Sequence, residues 1–598
     1  MVYGYCNKFL DVDLTSRSIR TTPFDDEFAR KYLGGLGFGA KLLFDRVKKG
    51  VDPLSQANVL MLMFGPLNGG SLPGQKACWI FKSPLTGGIG RARSGGAYTV
   101  ELKRAGWDGI IFTGKADSLV YLYVKDDNVE IRDAKHLSLR DTQYTEHTIK
   151  QELEDPFTRV VCCGPAGENL VRFASIQTET TRAAARCGGG AVMGSKNLKA
   201  VAIRGTRNLP LKNPDEFNNL AKQIRYRATK ARGIYPFRQR FVRFHTCSHS
   251  GATHPLRNYS WSGHVEEAYK INTERQERRF YLRNHSCPSF CYGHCFEHGI
   301  TRHGPYSGIS GENSEWDTSP TILGTGLTDV EAAMAAVSLL DKLGMDGSSC
   351  GNTLAWAIEC YQKGLLTKED TAGFELTWDN PALVIKLLKK IAFREGPFAT
   401  LLGEGTKRAT NTIGRNSIEY ACQARGLENA AVDPRAAYPT AVGQATSARG
   451  GGDHLTDRNG HMDSLCVCMF TQLAAGGITN EDLVTFVNYS TGWDYTEEEL
   501  TKTFFERLLS LQRAFNVREF WPTTPSEMDY NALKFYREPI YAGPLKGTVL
   551  DKSKFEEERA AYYELRGWDE RGIPTKDTLK EHGLEDILAE LEGMGIYE

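Results

Sequence analysis

The chain has 598 residues, with 73 lysines and arginines against 73 aspartates and glutamates. This length predicts roughly two to four domains, and the balanced charge argues against a nucleic-acid-binding protein. No apolar run approaches the roughly 18 residues needed to cross a bilayer. The first residues carry no basic segment followed by an apolar core, so we expect a cytoplasmic protein. Its 14 cysteines are then more typical of ligating or catalytic thiols than of disulfides.

The first third of the chain is predicted to be rich in strands. Short apolar or alternating segments separated by glycine and proline predict strands at 9–14, 110–112, 120–124 and 200–203. Apolar residues at helical spacing predict one helix over 26–46.

Beyond the polar, proline-containing segment 204–216, helical patterns dominate. They predict helices over 328–343, 353–361, 382–392 and 497–511. We therefore expect an α+β protein with a β-rich domain over 1–208 and two mainly helical domains over 209–415 and 416–598.

Four glycine-rich segments are candidate ligand loops. Residues 34–39 lack the preceding strand of a dinucleotide loop, and in 189–196 the serine precedes the lysine, unlike a P-loop. Two other segments lie beside Arg91, Arg93 and Arg449. Bare backbone N–H groups and guanidinium forks suit an anionic cofactor; the alternative is ordinary turns with solvated arginines.

The densest cysteine cluster places three cysteines within nine residues and two more downstream, at Cys287, Cys291, Cys295, Cys466 and Cys468. Four thiolates suit a [4Fe–4S] cluster. A zinc site that recruits a neighbouring histidine is the structural competitor, and the spacing alone does not decide between them.

Two segments share one frame. Asp341 to Asp346 reads DKLGMD, and Asp463 to Cys468 reads DSLCVC. Each follows a helical pattern, so each places a carboxylate and a turn of backbone amides at a helix end. Two such turns suit two similar halves of one ligand; the alternative is a pair of ordinary helix C-caps, with Gly344 as the left-handed residue.

Together these features resemble the tungsten-containing aldehyde:ferredoxin oxidoreductases. The resemblance runs essentially end to end, and it includes the segments 82–87 (KSPLTG), 164–170 (GPAGENL), 190–199 (GAVMGSKNLK) and 565–568 (LRGW). It implies a two-sheet N-terminal domain that cradles a bis-pterin cofactor and two helical domains that close over it. The resemblance implies tungsten or molybdenum as the metal. The residues do not distinguish the two, because pterin sulfurs rather than protein atoms would bind the metal.

The resemblance also implies roles for individual residues. Cys287, Cys291, Cys295 and Cys468 would hold a [4Fe–4S] cluster, while Cys466 stands where the family usually has glycine. Matching positions for the pterins, and for a Mg²⁺ that bridges their phosphates, are Lys76, Arg93, Gly95, Arg182, Ala183, Arg186, Asp341, Met345, Asp346, Arg449, Asp463 and Val467.

The implied reaction oxidises an aldehyde with water to a carboxylic acid, and electrons pass through the cluster to ferredoxin or an iron–sulfur partner subunit. His454 would hydrogen-bond near the metal or relay a proton, unless it is purely structural. A glutamate would activate water as general base. Glu315 is favoured over Glu312, although the family pattern G-P-E-Y-E is absent here.

Three departures from the family bear on substrate and assembly. Both gaps of the cysteine motif hold three residues, where the family usually has two and three. Ala335 and Ser338 replace a glutamate–histidine pair that can bridge subunits through a metal, so we do not expect a metal-bridged dimer. A homodimer of another kind and a hetero-oligomer both stay open. The loop between His454 and Asp463 is short, which favours a different substrate or a covering partner subunit, and His461 in it is an extra candidate acid.

The chief alternative is the catalytic subunit of a low-potential reductase complex that acts on an aromatic acyl-CoA or a carboxylic acid. Segments 32–37 and 572–577 look similar to such subunits. Those enzymes take a cysteine ligand for tungsten from the segment after the cluster, and 301–330 contains no cysteine. A third hypothesis is a non-catalytic electron-relay or scaffold protein that retains only the cluster. The presence of His454, Arg182 and both aspartate turns argues against it.

Overall fold

The computed structural model describes residues 2–231, 255–271, 279–285, 296–312, 319–451, 460–473 and 476–597. Two mixed six-stranded sheets form the N-terminal third, and helices dominate the remainder. The predicted α+β class is therefore confirmed, whereas the domain limits at 208 and 415 stay a prediction. Within the described ranges, no helix is long and apolar enough to cross a membrane.

The first sheet combines parallel and antiparallel neighbours. Its spatial order is β2 (Ser18–Pro23), β1 (Lys8–Asp13), β6 (Gly109–Thr113), β3 (Leu60–Met63), β4 (Ala77–Lys82) and β5 (Ile89–Ser94). The β1–β6 pair is parallel, and Leu10 lies opposite Ile110.

The second sheet is also mixed. Its order is β11 (Arg182–Ala184), β10 (Ile176–Thr178), β9 (Arg159–Cys163), β12 (Leu198–Arg204), β7 (Val120–Lys125) and β8 (Asn128–Asp133). Two smaller sheets follow later in the chain: β13 (Tyr281–His285), β14 (Phe296–Ile300) and β15 (Ser310–Glu312), and the hairpin of β16 (Gln423–Ala424) and β17 (Leu427–Glu428).

Helices cover the faces of the sheets and build the rest of the chain. Those of the N-terminal third are α1 (Asp26–Tyr32), α2 (Gly35–Arg46), α3 (Tyr98–Arg104), α4 (Thr142–Glu152), α5 (Pro165–Glu168) and α6 (Gly189–Ser195). The next are α7 (Pro214–Lys230), α8 (Val265–Tyr269), α9 (Ser319–Ile322), α10 (Val330–Leu343), α11 (Gly347–Gln362), α12 (Pro381–Phe393), α13 (Pro397–Leu402) and α14 (Thr406–Ile413). The last are α15 (Tyr438–Thr446), α16 (Gly460–Ser464), α17 (Met469–Leu473), α18 (Asn480–Thr491), α19 (Phe504–Phe520), α20 (Pro525–Met528), α21 (Lys534–Arg537), α22 (Lys552–Leu565), α23 (Lys576–Glu581) and α24 (Glu585–Gly593).

Successive side chains of a strand point to opposite faces of its sheet, and one face of each large sheet contributes to a shared core. Leu62 and Val201 lie in the core between the sheets. Met61 enters a separate core with α2 and the C-terminal helices. On the outer face of the second sheet, Ala202 packs with Ile149 of α4. The core shared by the inner faces of the two sheets also contains Leu102 of α3 and Val192 of α6, and α6 contacts strands of both sheets.

Two expected helices differ in detail from the structure. The helix predicted over 26–46 is broken into α1 and α2, because Leu33 and Gly34 both have positive φ, 59° and 147°. The helix predicted over 497–511 begins as a π-helical turn, Glu499–Thr503, and continues much further as α19.

Candidate functional site

The first aspartate turn ends α10 and is attached to the second sheet. Gly344 has the left-handed conformation, with φ of 74°, and the Met345 N–H donates to the Leu340 carbonyl at 3.0 Å. Such a bond closes a helix with a Schellman turn. The Ser175 N–H then donates to the Gly344 carbonyl at 2.9 Å, and Met345 forms an antiparallel bridge with Ala174.

The second aspartate turn has the same backbone pattern against the first sheet. Cys466 has φ of 57°, and the Val467 N–H donates to the Met462 carbonyl at 2.8 Å. The Lys76 N–H donates to the Cys466 carbonyl at 2.7 Å, and Val467 forms an antiparallel bridge with Gln75. The shared sequence frame therefore corresponds to two matching turns, each bridged to one sheet of the N-terminal base.

The carboxylate of the second turn is buried among arginines. Asp463 is ion-paired with Arg93, and the Arg91 Nη1 lies 3.7 Å from its Oδ2. Arg91 and Arg93 alternate along β5, so their side chains leave the strand on the same face. The edge strand of the first sheet thus delivers two guanidinium groups to the second turn.

The first turn ends in a comparable pair. Arg186 donates to the Asp346 carboxylate at 3.0 Å, and to the Glu428 carbonyl on β17. Asp346 also caps α11 by accepting from the Ser348 N–H. One arginine thereby connects the first turn to the β16–β17 hairpin.

Arg449 is buried, and the charges of three other arginines act on it. Burial lowers the pKa of Arg449, and repulsion from Arg91, Arg186 and Arg93 lowers it further. Its Nε makes no hydrogen bond with any residue that the structure describes. Four guanidinium groups from distant parts of the chain therefore converge on one buried region.

Two carboxylates accompany Arg182 on the other side of the first turn. The Arg182 Nη1 lies 3.2 Å from the Glu312 carboxylate, and both side chains are buried. Burial raises the pKa of the half-buried Asp341 carboxyl well above its usual value, and the Glu312 charge raises it further. The nearby Arg182 guanidinium acts in the opposite direction and lowers the pKa of Asp341.

The remaining predicted positions of the N-terminal third lie on the same base. Gly95 is buried directly after β5, and Ala183 is the central residue of β11, paired with Gln177. Lys76 directly precedes β4, beside the second turn.

Several predicted residues lie outside the described part of the chain: Cys287, Cys291, Cys295, Glu315 and His454. The three cysteines come between β13 and β14 in the sequence, and the ends of these two strands, His285 and Phe296, are paired. Cys468 is described; it is buried, and its N–H donates to the Gly74 carbonyl at 2.8 Å.

His461 points away from the arginine region. It lies two residues before Asp463 on α16, so the two side chains leave opposite sides of the short helix. The imidazole stacks edge-on against Phe505 of α19, with ring centroids 6.5 Å apart. This position does not support its role as an extra acid.

The sequence pointed to Arg91 as an arginine beside a glycine-rich segment, but not to its place beside Asp463. One further residue of the region, Glu428, was missed as a candidate. Glu428 is fully buried and accepts from the Thr406 N–H at 2.8 Å. No motif in the sequence distinguishes Glu428.

The residues present fit an anionic, phosphate-bearing cofactor. Guanidinium groups recognise phosphate oxygens through paired charge-assisted hydrogen bonds. The crowded arginines, and the buried Nε of Arg449 that lacks a hydrogen bond within the described residues, call for further negative charge in this region. The fold and this site are those of a protein suited to an anionic cofactor, with a two-sheet base and two helix-end turns beside buried arginines.

Comparisons with known proteins identify the family. Residues 9–205 match the N-terminal domain of aldehyde ferredoxin oxidoreductase, and residues 243–584 match its domains 2 and 3. The chain is 34% identical to a tungsten-containing aldehyde ferredoxin oxidoreductase of Pyrococcus abyssi, over 98% of this chain and 100% of the relative. It is 32% identical to the WOR-like subunit of an aliphatic sulfonate oxidoreductase of Pyrococcus furiosus, over 99% of each.

A solved structure agrees over the whole chain. It is the active-site complex BamBC of benzoyl-coenzyme A reductase with 1,5-dienoyl-CoA, with a TM-score of 0.83, 26% identity and complete coverage of both chains. The chain therefore belongs to the aldehyde ferredoxin oxidoreductase family. It is an oxidoreductase of a tungsten-containing family, and this membership implies a tungstopterin cofactor.

Proposed function

We propose that the protein oxidises an aldehyde with water to a carboxylic acid, two protons and two electrons. The observation that carries the proposal is the pair of matching aspartate turns, each bridged to its own sheet beside buried arginines. Two related turns suit the two related halves of a bis-pterin. The 34% identity to aldehyde ferredoxin oxidoreductases supports the same substrate class.

The chain's residues would hold the cofactor from three sides. Arg93 and Arg186 would meet the pterin phosphates, with Gly95 and Ala183 supplying backbone groups to the phosphates and their Mg²⁺. Asp341 and Asp463, at the two matching turns, would each hydrogen-bond a pterin ring. When bound, tungstopterin supplies two-electron redox chemistry, and a [4Fe–4S] cluster supplies one-electron transfer to ferredoxin or an iron–sulfur subunit.

Proton handling would fall to His454 and Glu315. His454 would hydrogen-bond the substrate carbonyl oxygen or relay a proton, and Glu315 would take a proton from the attacking water. Glu312 is less suited to this role, because its carboxylate is ion-paired with Arg182.

A matched pair of variants tests the choice of base. Glu315→Gln should lower aldehyde turnover by about 10²–10⁴-fold at unchanged tungsten content. Glu312→Gln should act mainly through cofactor content, because it leaves Arg182 without this carboxylate. If Glu312→Gln alone loses turnover while it keeps its tungsten, the assignment is reversed.

The proposal as a whole is tested on anaerobically purified protein. Elemental analysis should find about one tungsten and about four irons per chain, the loading of one pterin site and one cubane cluster. A panel of aldehydes with a dye acceptor then measures turnover. Zinc without tungsten or molybdenum would mean that the clustered cysteines are structural, and the catalytic proposal would fall.

A second candidate is an aromatic acyl-CoA or carboxylic acid reductase that works within a larger complex. The 0.83 TM-score with the benzoyl-coenzyme A reductase complex favours it. In this case the same preparation would show no aldehyde turnover but would oxidise a cyclic dienoyl-CoA with an added acceptor. Co-purification of an iron–sulfur subunit would identify the electron-transfer partner in either case.

A further inference from the structure

A cavity of about 600 Å³ lies in the C-terminal half of the chain, and none of its lining residues belongs to the site described above. Its walls are α14, the β16–β17 hairpin, the segment 527–537 and the first residue of α22. The volume falls within the roughly 300–1,000 Å³ of small-molecule sites.

The charged residues of this cavity are mostly basic. Lys407, Arg425, Arg537 and Lys552 line it, against Glu527 as the one acidic lining residue. The Glu527 carboxylate is already used to cap α20. Arg537 and Lys552 have carboxylates within ion-pair distance. The cavity therefore carries a local surplus of positive charge, centred on Lys407 and Arg425.

Lys407 has no carboxylate within ion-pair distance among the residues that the structure describes. Lys407 is exposed; partial desolvation of its ammonium lowers its pKa, and the charges of Arg408 and Arg425 lower it further. The Asp529 carboxylate, 3.8 Å from the Arg425 Nε, also lies 2.6 Å from Arg513. The cavity thus has two neighbouring cations, Lys407 and Arg425, among its lining residues.

Arg425 is also held in an unusual backbone conformation. It has φ of 54° and Gly426 has φ of 96°, and together they form the two-residue turn between β16 and β17. Such turns favour Asn-Gly, and an arginine in the left-handed region is strained. The Arg425 side chain lines the cavity from this strained turn. Backbone strain that is retained in a folded protein is typical of functional positions.

Two polar side chains, Asn531 and Tyr536, line another wall of the cavity. Asn531 is buried, and Tyr536 is hydrogen-bonded to it. Asn531 as a whole is 4% exposed. Ile418 and Leu533, both partly exposed, form an apolar rim. The cavity therefore offers cations at one wall, hydrogen-bonding atoms at another and an apolar rim.

We propose that this cavity binds a phosphorylated small molecule. Its phosphate lies between Lys407 and Arg425, where a lysine point charge and an arginine fork recognise phosphate oxygens. Its organic part contacts Asn531, Tyr536 and Leu533. The same hairpin that carries Arg425 also contacts Arg186 through the Glu428 carbonyl, so the ligand rests on an element shared with the cofactor region.

Equilibrium dialysis of the purified holoenzyme tests this proposal, with ADP and inorganic phosphate as separate probes. The variants are Lys407→Gln and Arg425→Asn; asparagine suits the left-handed position, so the second variant keeps the turn. Lys546→Gln, at an exposed lysine outside the cavity, is the matched control. Tungsten content of each preparation checks that the variants are folded.

Binding of ADP that falls about tenfold or more in both cavity variants, with the control unchanged, supports the proposal. If inorganic phosphate binds as tightly as ADP and responds to the same variants, the cavity is a phosphate site that makes little use of the organic part. Equal binding by wild type and both variants overturns the proposal. So does the absence of binding for both probes at about 1 mM, where a site worth about 4 kcal/mol would be half filled.

Discussion

Replacing Asp463 with asparagine should weaken both the fold and the binding of the pterin cofactor. The Asp463 carboxylate is buried between the guanidinium groups of Arg91 and Arg93. Asparagine has nearly the same shape but leaves both cations without their anion. Breaking a buried ion pair in this way costs about 3–5 kcal/mol.

The expected change in melting temperature follows from the size of the chain. If the 598 residues unfold as one unit with about 2.1 cal/mol/K per residue, this cost lowers the melting temperature by about 2–4 °C. Calorimetry on protein produced without tungsten measures the effect on the fold alone. Tungsten and pterin content of protein produced with tungsten measures the effect on cofactor binding.

Asp108→Asn is the matched control. Asp108 forms an ion pair with Lys103, and both side chains are fully buried outside the cofactor region. Its variant should melt lower by a similar amount yet keep its tungsten. An Asp463→Asn protein that melts like wild type would refute the ion pair. One that melts lower but retains wild-type tungsten and pterin would refute the role of the second turn.

Three further predictions concern the turns and the cluster. Gly344→Ala should lower the free energy of unfolding more than the control variant Gly373→Ala. Both glycines have positive φ, where alanine costs about 1–2 kcal/mol. Only at Gly344 would the new Cβ also lie close to a backbone atom, the Gly164 nitrogen at 2.8 Å. Cys468→Ser should lose about four irons, whereas Cys466→Ser should keep them. Burial lowers the pKa of His461, so the unfolded chain binds a proton at this histidine more readily than the folded protein does. The folded protein therefore loses stability as pH falls below about 6.5. Between about pH 6.5 and 5, the melting temperature of His461→Leu should fall less than that of wild type.

Local sequence signals predicted much of the structure. The strands at 9–14, 120–124 and 200–203 formed close to where alternation placed them. The two aspartate frames became matching turns, because a helix stop is encoded within a few residues. Gly344 and Cys466 hold the same left-handed position, so the second frame keeps its geometry without the usual glycine.

Long-range arrangements could not be predicted in this way. The parallel β1–β6 pair joins Leu10 to Ile110, and nothing in either segment specifies that partner. The sequence also did not predict that Arg91 and Arg449 lie close together. The two arginines are far apart along the chain, and electrostatic repulsion depends on their distance in space. The roles of the cysteines and of His454 stay predictions, because they rest on the resemblance to the family.

Two glycines, Gly35 in the glycine-rich segment 34–39 and Gly164 in the segment 164–170, lie where the N-terminal base meets the two aspartate turns. A Cβ on Gly35 would lie 2.7 Å from the Cys466 sulfur, and a Cβ on Gly164 would lie 2.8 Å from the Gly344 nitrogen. Real Cβ atoms do not approach so closely, so each turn needs a glycine opposite it. One glycine segment therefore serves each aspartate turn. The proposed bis-pterin has two similar halves. The protein likewise has two similar aspartate turns, and a glycine of the base lies opposite each turn.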